Sequence, residues 1–363
     1  MKSSIGSKVR LTLFGESHGP AIGCVLEGLP AGHKIDFDLV AAQLERRAPG
    51  KDKTATTRRE PDIPEILSGV LNGVTTGAPL ALIIKNTNTI SNNYDNLKAE
   101  PRPSHSDYAA FVKYGGYNDI RGGGHFSARL TAPIVCAGAI CKSVLAEKGI
   151  TVGGHILSIG GVCDTPFNPV SISKEELNAL STKLFALNNP EKESAMREVI
   201  ENAKQNLDSV GGMVELAAVG LPVGVGNPIF YGVENVLANI LYGIPAVKGV
   251  SFGAGFEFAN MFGGTANDQM CYTSSGEVSC LSNNCGGITG GITNGMPITV
   301  KVALKPTPSI AKEQQTVNLE TKENSSLQIT GRHDPCIVPR ALPALEAAMA
   351  IGLLDLLMED GAI

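Results

Sequence analysis

Four short stretches set proton-transfer and anion-binding side chains beside glycine or proline. FGESHG (14–19) places Glu16, Ser17 and His18 between two glycines, and RPSHSD (102–107) joins Arg102 to His105. RGGGHFSAR (121–129) carries His125, Ser127 and Arg129 behind three glycines, and GRHDP (331–335) sets Arg332, His333 and Asp334 in a row. Imidazole is the side chain most easily poised as a general acid or base at neutral pH. Guanidinium grips carboxylate or phosphate through paired hydrogen bonds, and glycine lets a planar cofactor or a phosphate approach the backbone. Together these residues point to proton transfer beside a bound anion. A nucleophilic Ser17 with His18 as its base is a weak reading, because neighbours on a turn cannot be assumed to bond each other. Simpler roles stand beside the chemical ones: Ser17 and His18 satisfying backbone groups in a glycine turn, and Asp334 capping a following helix.

The elements that position these residues can be read from pattern. VRLTLFG and GCVLEGLP read as strands, so the Glu-Ser-His triplet falls on the turn between them. DFDLVAAQLERRAPG reads as a helix opened by Asp36 and stopped at Pro49-Gly50, with Arg46 and Arg47 in its last turn, where the helix dipole alone would favour them. EILSGVLNG and APLALIIKN read as strands, and residues 86–129 form a long stretch poor in regular structure. LTAPIVCAGAICKSVLAEK (130–148) reads as a closely packed helix. Further helices are expected over 174–187, 190–207 and 341–359, and strands in VELAAVGLPVG, AVKGVSFGAGF and MPITVKVALKP. The irregular mixture without a βαβ repeat favours an α+β fold, taken as one domain over 1–363.

Composition narrows the classes. A net charge of −5 and a pI near 5.8 argue against a general nucleic-acid binder, so an anion site must be a local arginine cluster. The arginines at 46, 47, 58, 59, 102, 121, 129, 332 and 340 supply one. The first residues lack the apolar core of a signal peptide, and the most apolar stretch, around 341–359, carries Glu346 and Asp355, as a buried helix does and a membrane span rarely does. The eight cysteines show no metal spacing and read as reduced core thiols of a cytosolic protein.

In order along the chain, GESHG (15–19), RRAPG (46–50), TTRREPD (56–62), SGVLNGVTTG (68–77), RPSHSDY (102–108), KYG (113–115), RGGGHFSAR (121–129), AVKGV (246–250), GGITGGITNG (286–295), ALKPTPSI (303–310) and GRHDP (331–335) resemble the chorismate synthase family. The resemblance implies a β-α-β sandwich, with helices packed between antiparallel sheets, assembled as a homotetramer. It implies an anti 1,4-elimination of phosphate from 5-enolpyruvylshikimate 3-phosphate that needs reduced FMN without net redox change, with NADPH as a candidate reductant. A flavin-dependent oxidoreductase acting on an anionic substrate is the alternative.

The resemblance also assigns residues. His18 would protonate the leaving phosphate with Ser17 ordering the site, His105 would stabilise the reduced flavin, and Asp334 would help remove a proton. Arg46, Arg47, Lys53, Arg102, Arg129 and Arg332 would bind substrate anions, and Arg47 is the candidate NADPH contact. His125, Phe126, Ser127, Pro245, Ala246, Gly290, Lys305, Pro306, Thr307, Pro308, Ser309 and Arg332 would contact FMN. No metal, nucleic acid or membrane is expected. Departures from the family's pattern fall at His125-Phe126, often Arg-Ser, at Leu130, often Glu, and at Pro245 and Pro308, often Asn and Ser; these are expected to tune flavin affinity.

Overall fold

A computed structural model describes residues 3–50, 62–87, 97–329 and 333–363. Two five-stranded antiparallel sheets face each other. In spatial order the first runs Ser4–Ile5, Arg10–Gly15, Ala21–Glu27, Leu80–Lys85, Pro64–Ser68, and the second runs Val247–Phe252, Ile298–Leu304, Gly212–Val219, Thr151–Ile159, Val162–Cys163. The helices are α1 (Phe37–Arg47), α2 (Asp107–Tyr114), α3 (Thr131–Glu147), α4 (Lys174–Leu180), α5 (Glu193–Gln205), α6 (Val233–Tyr242), α7 (Gly263–Ala266) and α8 (Val338–Glu359).

Helix α3 packs on the first sheet and α8 on the second, and the two helices pack on each other, so the α+β sandwich has its helices inside. Gly138 explains the close fit. A Cβ there would lie 2.3 Å from the Ala347 Cβ, so glycine allows α3 and α8 to meet almost backbone to backbone. Both helices are long and apolar enough to cross a membrane, but 78% and 94% of their apolar windows are buried inside the sandwich. One contiguous apolar cluster runs from Val9, just before the strand Arg10–Gly15, to Leu357 in α8. The eight cysteines are all free thiols, and five of them are buried.

Sequence pattern located α1, α3 and α8 to within a few residues and found most strands of the two sheets, though not the short edge strands Ser4–Ile5 and Val162–Cys163. It missed Thr151–Ile159, eight of whose nine residues are buried. That strand is covered on both faces, Gly153 lying against Leu177 of α4 and Gly154 against Leu342 of α8, so no polar face survives to give the alternation by which a strand is recognised. The helix expected over 174–187 stops at Leu180, and α6 was not anticipated.

The sandwich centre also corrects one expected substrate contact. Arg46 points into the interior, where its Nη1 and Nη2 donate to the two Glu346 carboxylate oxygens at 2.9 and 3.0 Å and its Nε donates to the Lys183 carbonyl. Lys142 of α3 donates to the same carboxylate at 2.9 Å. Burial would raise the Glu346 carboxyl, but Arg46 and Lys142 outweigh it and hold it at about 2. Arg46 is therefore a core counter-ion that ties α1 to α8 and does not reach the cavity described below.

Candidate active site

A cavity of about 740 Å³ opens where the edge of the first sheet, the end of α1, the glycine run at 122–124, the segments 245–248 and 305–309, and the start of α8 converge. Its first charged cluster is a fork that reaches the wall through Arg47 and Arg129. The Nη1 atoms of Arg47 and Arg129 both donate to the Asp62 carboxylate, one to each oxygen, with all three side chains buried. Arg47 Nε donates to Thr131 Oγ1 at 3.2 Å, and Arg129 Nε donates to Asn86 Oδ1 at 3.2 Å. Burial pulls the Arg47 guanidinium down to about 10, Asp62 opposing the shift and Arg340 and Arg129 adding to it. Burial would raise Asp62, yet the two guanidiniums hold it below the usual carboxylate range.

The second cluster grows from RPSHSD at the start of α2. Arg102 grips Asp107 through Nε and Nη2 at 2.7 and 2.8 Å and donates through Nη1 to Ser309 Oγ at 3.2 Å. Asp107 Oδ1 lies 2.5 Å from His105 Nδ1. A carboxylate only accepts, so Nδ1 carries the proton and Nε2 is left as the acceptor. His105 lines the cavity, and a Cβ on Gly123, next to cavity-lining Gly122, would lie 3.4 Å from its Nε2. Burial lowers the His105 pKa; Asp107 opposes the shift and Arg102 reinforces it, so the ring is neutral at neutral pH.

At the start of α8, Asp334 pairs with Arg340, whose Nε donates to the Arg47 carbonyl at 3.0 Å. The cap of α8 is Ile337, so Asp334 does not serve as a helix N-cap and instead lines the cavity. His333 lines it too, its pKa lowered by burial and by Arg102, with a buried Nε2 that has no partner among the described residues.

The Glu-Ser-His triplet does form the turn between Arg10–Gly15 and Ala21–Glu27. Ser17 and His18 are buried and stand behind the cavity wall. Gly122, in the left-handed region at φ 59°, is what separates them from the space, for a Cβ there would lie 2.5 Å from His18 Cδ2 and 2.8 Å from Ser17 Oγ. Glu16 contributes its carbonyl, which accepts from Gly19 N and from Asn86.

Of the expected flavin contacts, His125, Phe126, Ser127, Pro245, Ala246, Lys305, Thr307, Pro308 and Ser309 line this same cavity. His125 is anchored on both sides, with Nδ1 to the Gly15 carbonyl and Nε2 to Ser3 Oγ, each at 2.8 Å. It therefore braces the wall and is not a free cation. Lys305 Nζ donates to the Ser104 carbonyl at 2.8 Å, and burial lowers its pKa. Ser104 and Ala246, both on the cavity wall, hold φ of 58° and 75°, strained for residues with a Cβ and typical of ligand clamps. Two expected contacts are not brought here. Pro306 packs toward Gly211, and Gly290 sits on a hairpin turn whose neighbour Gly291 accepts from Val233 N at the far end of α6. Lys53 and Arg332 lie outside the described residues.

Thr307 Oγ1 and His333 Nε2, buried and without partners among the described residues, the strained clamps and the half-exposed Phe126 ring fit a planar cofactor with a polar tail. Residue types alone did not single out Asp62, Asn86 or Asp107. Asp62 and Asp107 stand inside RREPD and RPSHSD, where a carboxylate near arginine or histidine was the available signal; Asn86 carried none.

The chorismate synthase family model matches residues 9–358. A chorismate synthase of Dehalococcoides mccartyi is 44% identical over 371 residues, covering 100% of this chain and 98% of the relative, and one of Thermococcus gammatolerans is 46% identical over 362 residues, covering 98% of each. A crystal structure of a chorismate synthase superposes with a TM-score of 0.75 at 31% identity, covering 98% of this chain and 93% of the other. Fold, cavity and these likenesses agree, and the chain belongs to the chorismate synthase family.

Proposed function

We propose that the cavity binds 5-enolpyruvylshikimate 3-phosphate and reduced FMN and carries out the anti 1,4-elimination of phosphate that yields chorismate, with no net redox change. Membership of the family makes the protein a carbon–oxygen lyase of aromatic amino acid biosynthesis. The observation that carries the reading is the convergence of Arg47, Arg102 and Arg129 with a neutral His105 on one cavity, in a chain of net charge −5. A substrate with two carboxylates and a phosphate needs such a local cluster. The oxidoreductase alternative has no support among the relatives.

Arg47 and Arg129 hold a substrate anion where Asp62 now lies between their forks, and Arg102 holds another beside Ser309. His18, which only the side-chain-free Gly122 separates from the cavity, is the proposed proton donor to the departing phosphate, and Ser17 orders the turn that presents it. His105 offers an unprotonated Nε2, steadied by Asp107, that fixes the protonation state of the reduced ring bound beside it. Asp334 accepts a proton at the end of the cycle. Phe126, Ser127, Ala246, Lys305, Thr307, Pro308 and Ser309 would hold reduced FMN, which would supply electron density toward the departing C3 phosphate and an acceptor for the C6 hydrogen. Arg332 and Lys53 keep their proposed roles in binding substrate, and Arg332 also in binding flavin.

The reading further takes the chain as one cytoplasmic domain that forms a homotetramer. Phe256, Phe262, Met270 and Tyr272, which are 87%, 86%, 76% and 78% exposed, support burial against further copies. Anaerobic assay with dithionite-reduced FMN is expected to give chorismate, and no product would overturn the reading. A parallel assay with NADPH and oxidised FMN tells whether the protein reduces its own flavin, with Arg47 as the proposed contact.

A further inference from the structure

Asn86 follows the strand Leu80–Lys85, and its side chain is used at both ends. Nδ2 donates to the carbonyls of Glu16 and Gly19 at 3.0 and 2.8 Å, the two residues that flank Ser17 and His18, and Oδ1 accepts from Arg129 Nε at 3.2 Å. Its backbone N–H donates to the Pro20 carbonyl at 3.1 Å, and on the other side Ser17 N donates to the Gly124 carbonyl at 3.1 Å. The amide's orientation follows from its neighbours, since the reverse would set oxygen against two carbonyl oxygens and N–H against a guanidinium. Asparagine supplies two donors and an acceptor on one short rigid stem. Aspartate lacks the donors, and serine has a single donor and a shorter stem.

The turn itself needs such a brace. Gly15 holds φ at 92° and Gly19 has only its own turn within contact of a would-be Cβ, so the peptide carrying Ser17 and His18 has little side-chain packing of its own at either end. Arg129, in contrast, is fixed by Asp62 on one side and Asn86 on the other.

We infer that Asn86 is a positioning residue for the elimination: it locks the turn bearing His18 and the guanidinium of Arg129 into one frame, so that an anion held by Arg129 stays in fixed register with the imidazole. The inference rests on the roles given above to His18 and Arg129. Displacing a reacting group by an ångström costs about 10²-fold in rate, and that is the loss expected when the frame is released.

Asn86→Asp separates the two ends of the amide, because it keeps an acceptor for Arg129 and removes both donors to the turn. Its kcat is expected to fall about 10²-fold with KM for the phosphate substrate nearly unchanged, and the ¹⁵N-imidazole resonances of His18 are expected to shift. A kcat within about twofold of wild type, well short of that positioning loss, or a lower melting temperature with kcat and KM both intact, overturns the inference. If the carboxylate prevents folding, Asn86→Ala carries the same test. It frees both ends, so kcat should fall and KM should rise, and unchanged kcat again overturns the inference. His18→Ala, run beside them, keeps the two claims apart: full activity there removes the proposed role of His18, whereas a loss there with an unaffected Asn86→Asp removes only the role of Asn86.

Discussion

His155 is fully buried and His105 only partly so, both touch carboxylates, yet they are held in opposite charge states. His155, inside the second sheet, meets Asp164 through Nδ1 at 2.8 Å and Glu215 through Nε2 at 3.0 Å. Burial would lower its pKa, but the two carboxylates raise it, and the ring is a closed cationic staple. His105 has one carboxylate and a guanidinium against the same nitrogen, and it lines the cavity. Arg46 and Arg47 repeat the lesson one residue apart, the first saturated by Glu346 and the second set at the cavity wall with Arg129. Residue type and burial do not separate a staple from a site. What separates them is whether every polar face is matched within the protein.

The largest effect should follow from touching the open histidine. His105→Ala is expected to lower turnover by about 10² to 10⁴-fold with anaerobic, pre-reduced FMN while the melting temperature barely moves. Unchanged turnover would erase the distinction drawn here. The closed network should answer in stability instead. Glu346→Gln leaves Arg46 and Lys142 buried without a counter-ion and should cost about 3–5 kcal/mol by urea unfolding, with the activity of the folded fraction retained. A loss below about 1 kcal/mol, the range of a surface pair, would show that the core network is not closed.

Smaller effects sharpen the contrast. Arg129→Lys keeps the charge but loses the planar fork, and removing one charge-assisted hydrogen bond corresponds to about tenfold in substrate affinity. Equal affinity by titration would take Arg129 out of the anion site. The two histidines should also pull stability in opposite directions with pH. His155, with its folded pKa raised, stabilises fully below its unfolded value of about 6.5 and loses that contribution as pH rises through the folded value. His105, with its folded pKa lowered, favours the fold above that range and disfavours it as pH falls. Unfolding free energy measured from pH 6 to 9 should therefore decline less in His155→Gln than in wild type, and parallel curves would contradict the staple.

Much of the scaffold was legible because it obeys simple periods. The amphipathic α1, with Asp36 accepting from Leu39 N as its cap, and the small-residue α3 announced themselves. Thr151–Ile159 did not, because burial on both faces erases the alternation. At the site, the histidines and arginines stood out by type, but their counter-ions did not: Asp62 and Asp107 matter through partners 15 and 67 residues away for the first and 5 and 2 for the second. Arg46 was misread because sequence cannot say which of two adjacent arginines on a helix turns inward. Asn86 was invisible because its role depends on the carbonyls of a turn about 70 residues earlier, and backbone groups leave no mark on residue type.

The open cluster is proposed to perform an elimination in which the flavin is not consumed. Anaerobic turnover with reduced FMN, following released phosphate and flavin absorbance together, tests it most directly. Many phosphates are expected to be released per flavin while the flavin stays reduced. One flavin oxidised for each phosphate released would contradict it.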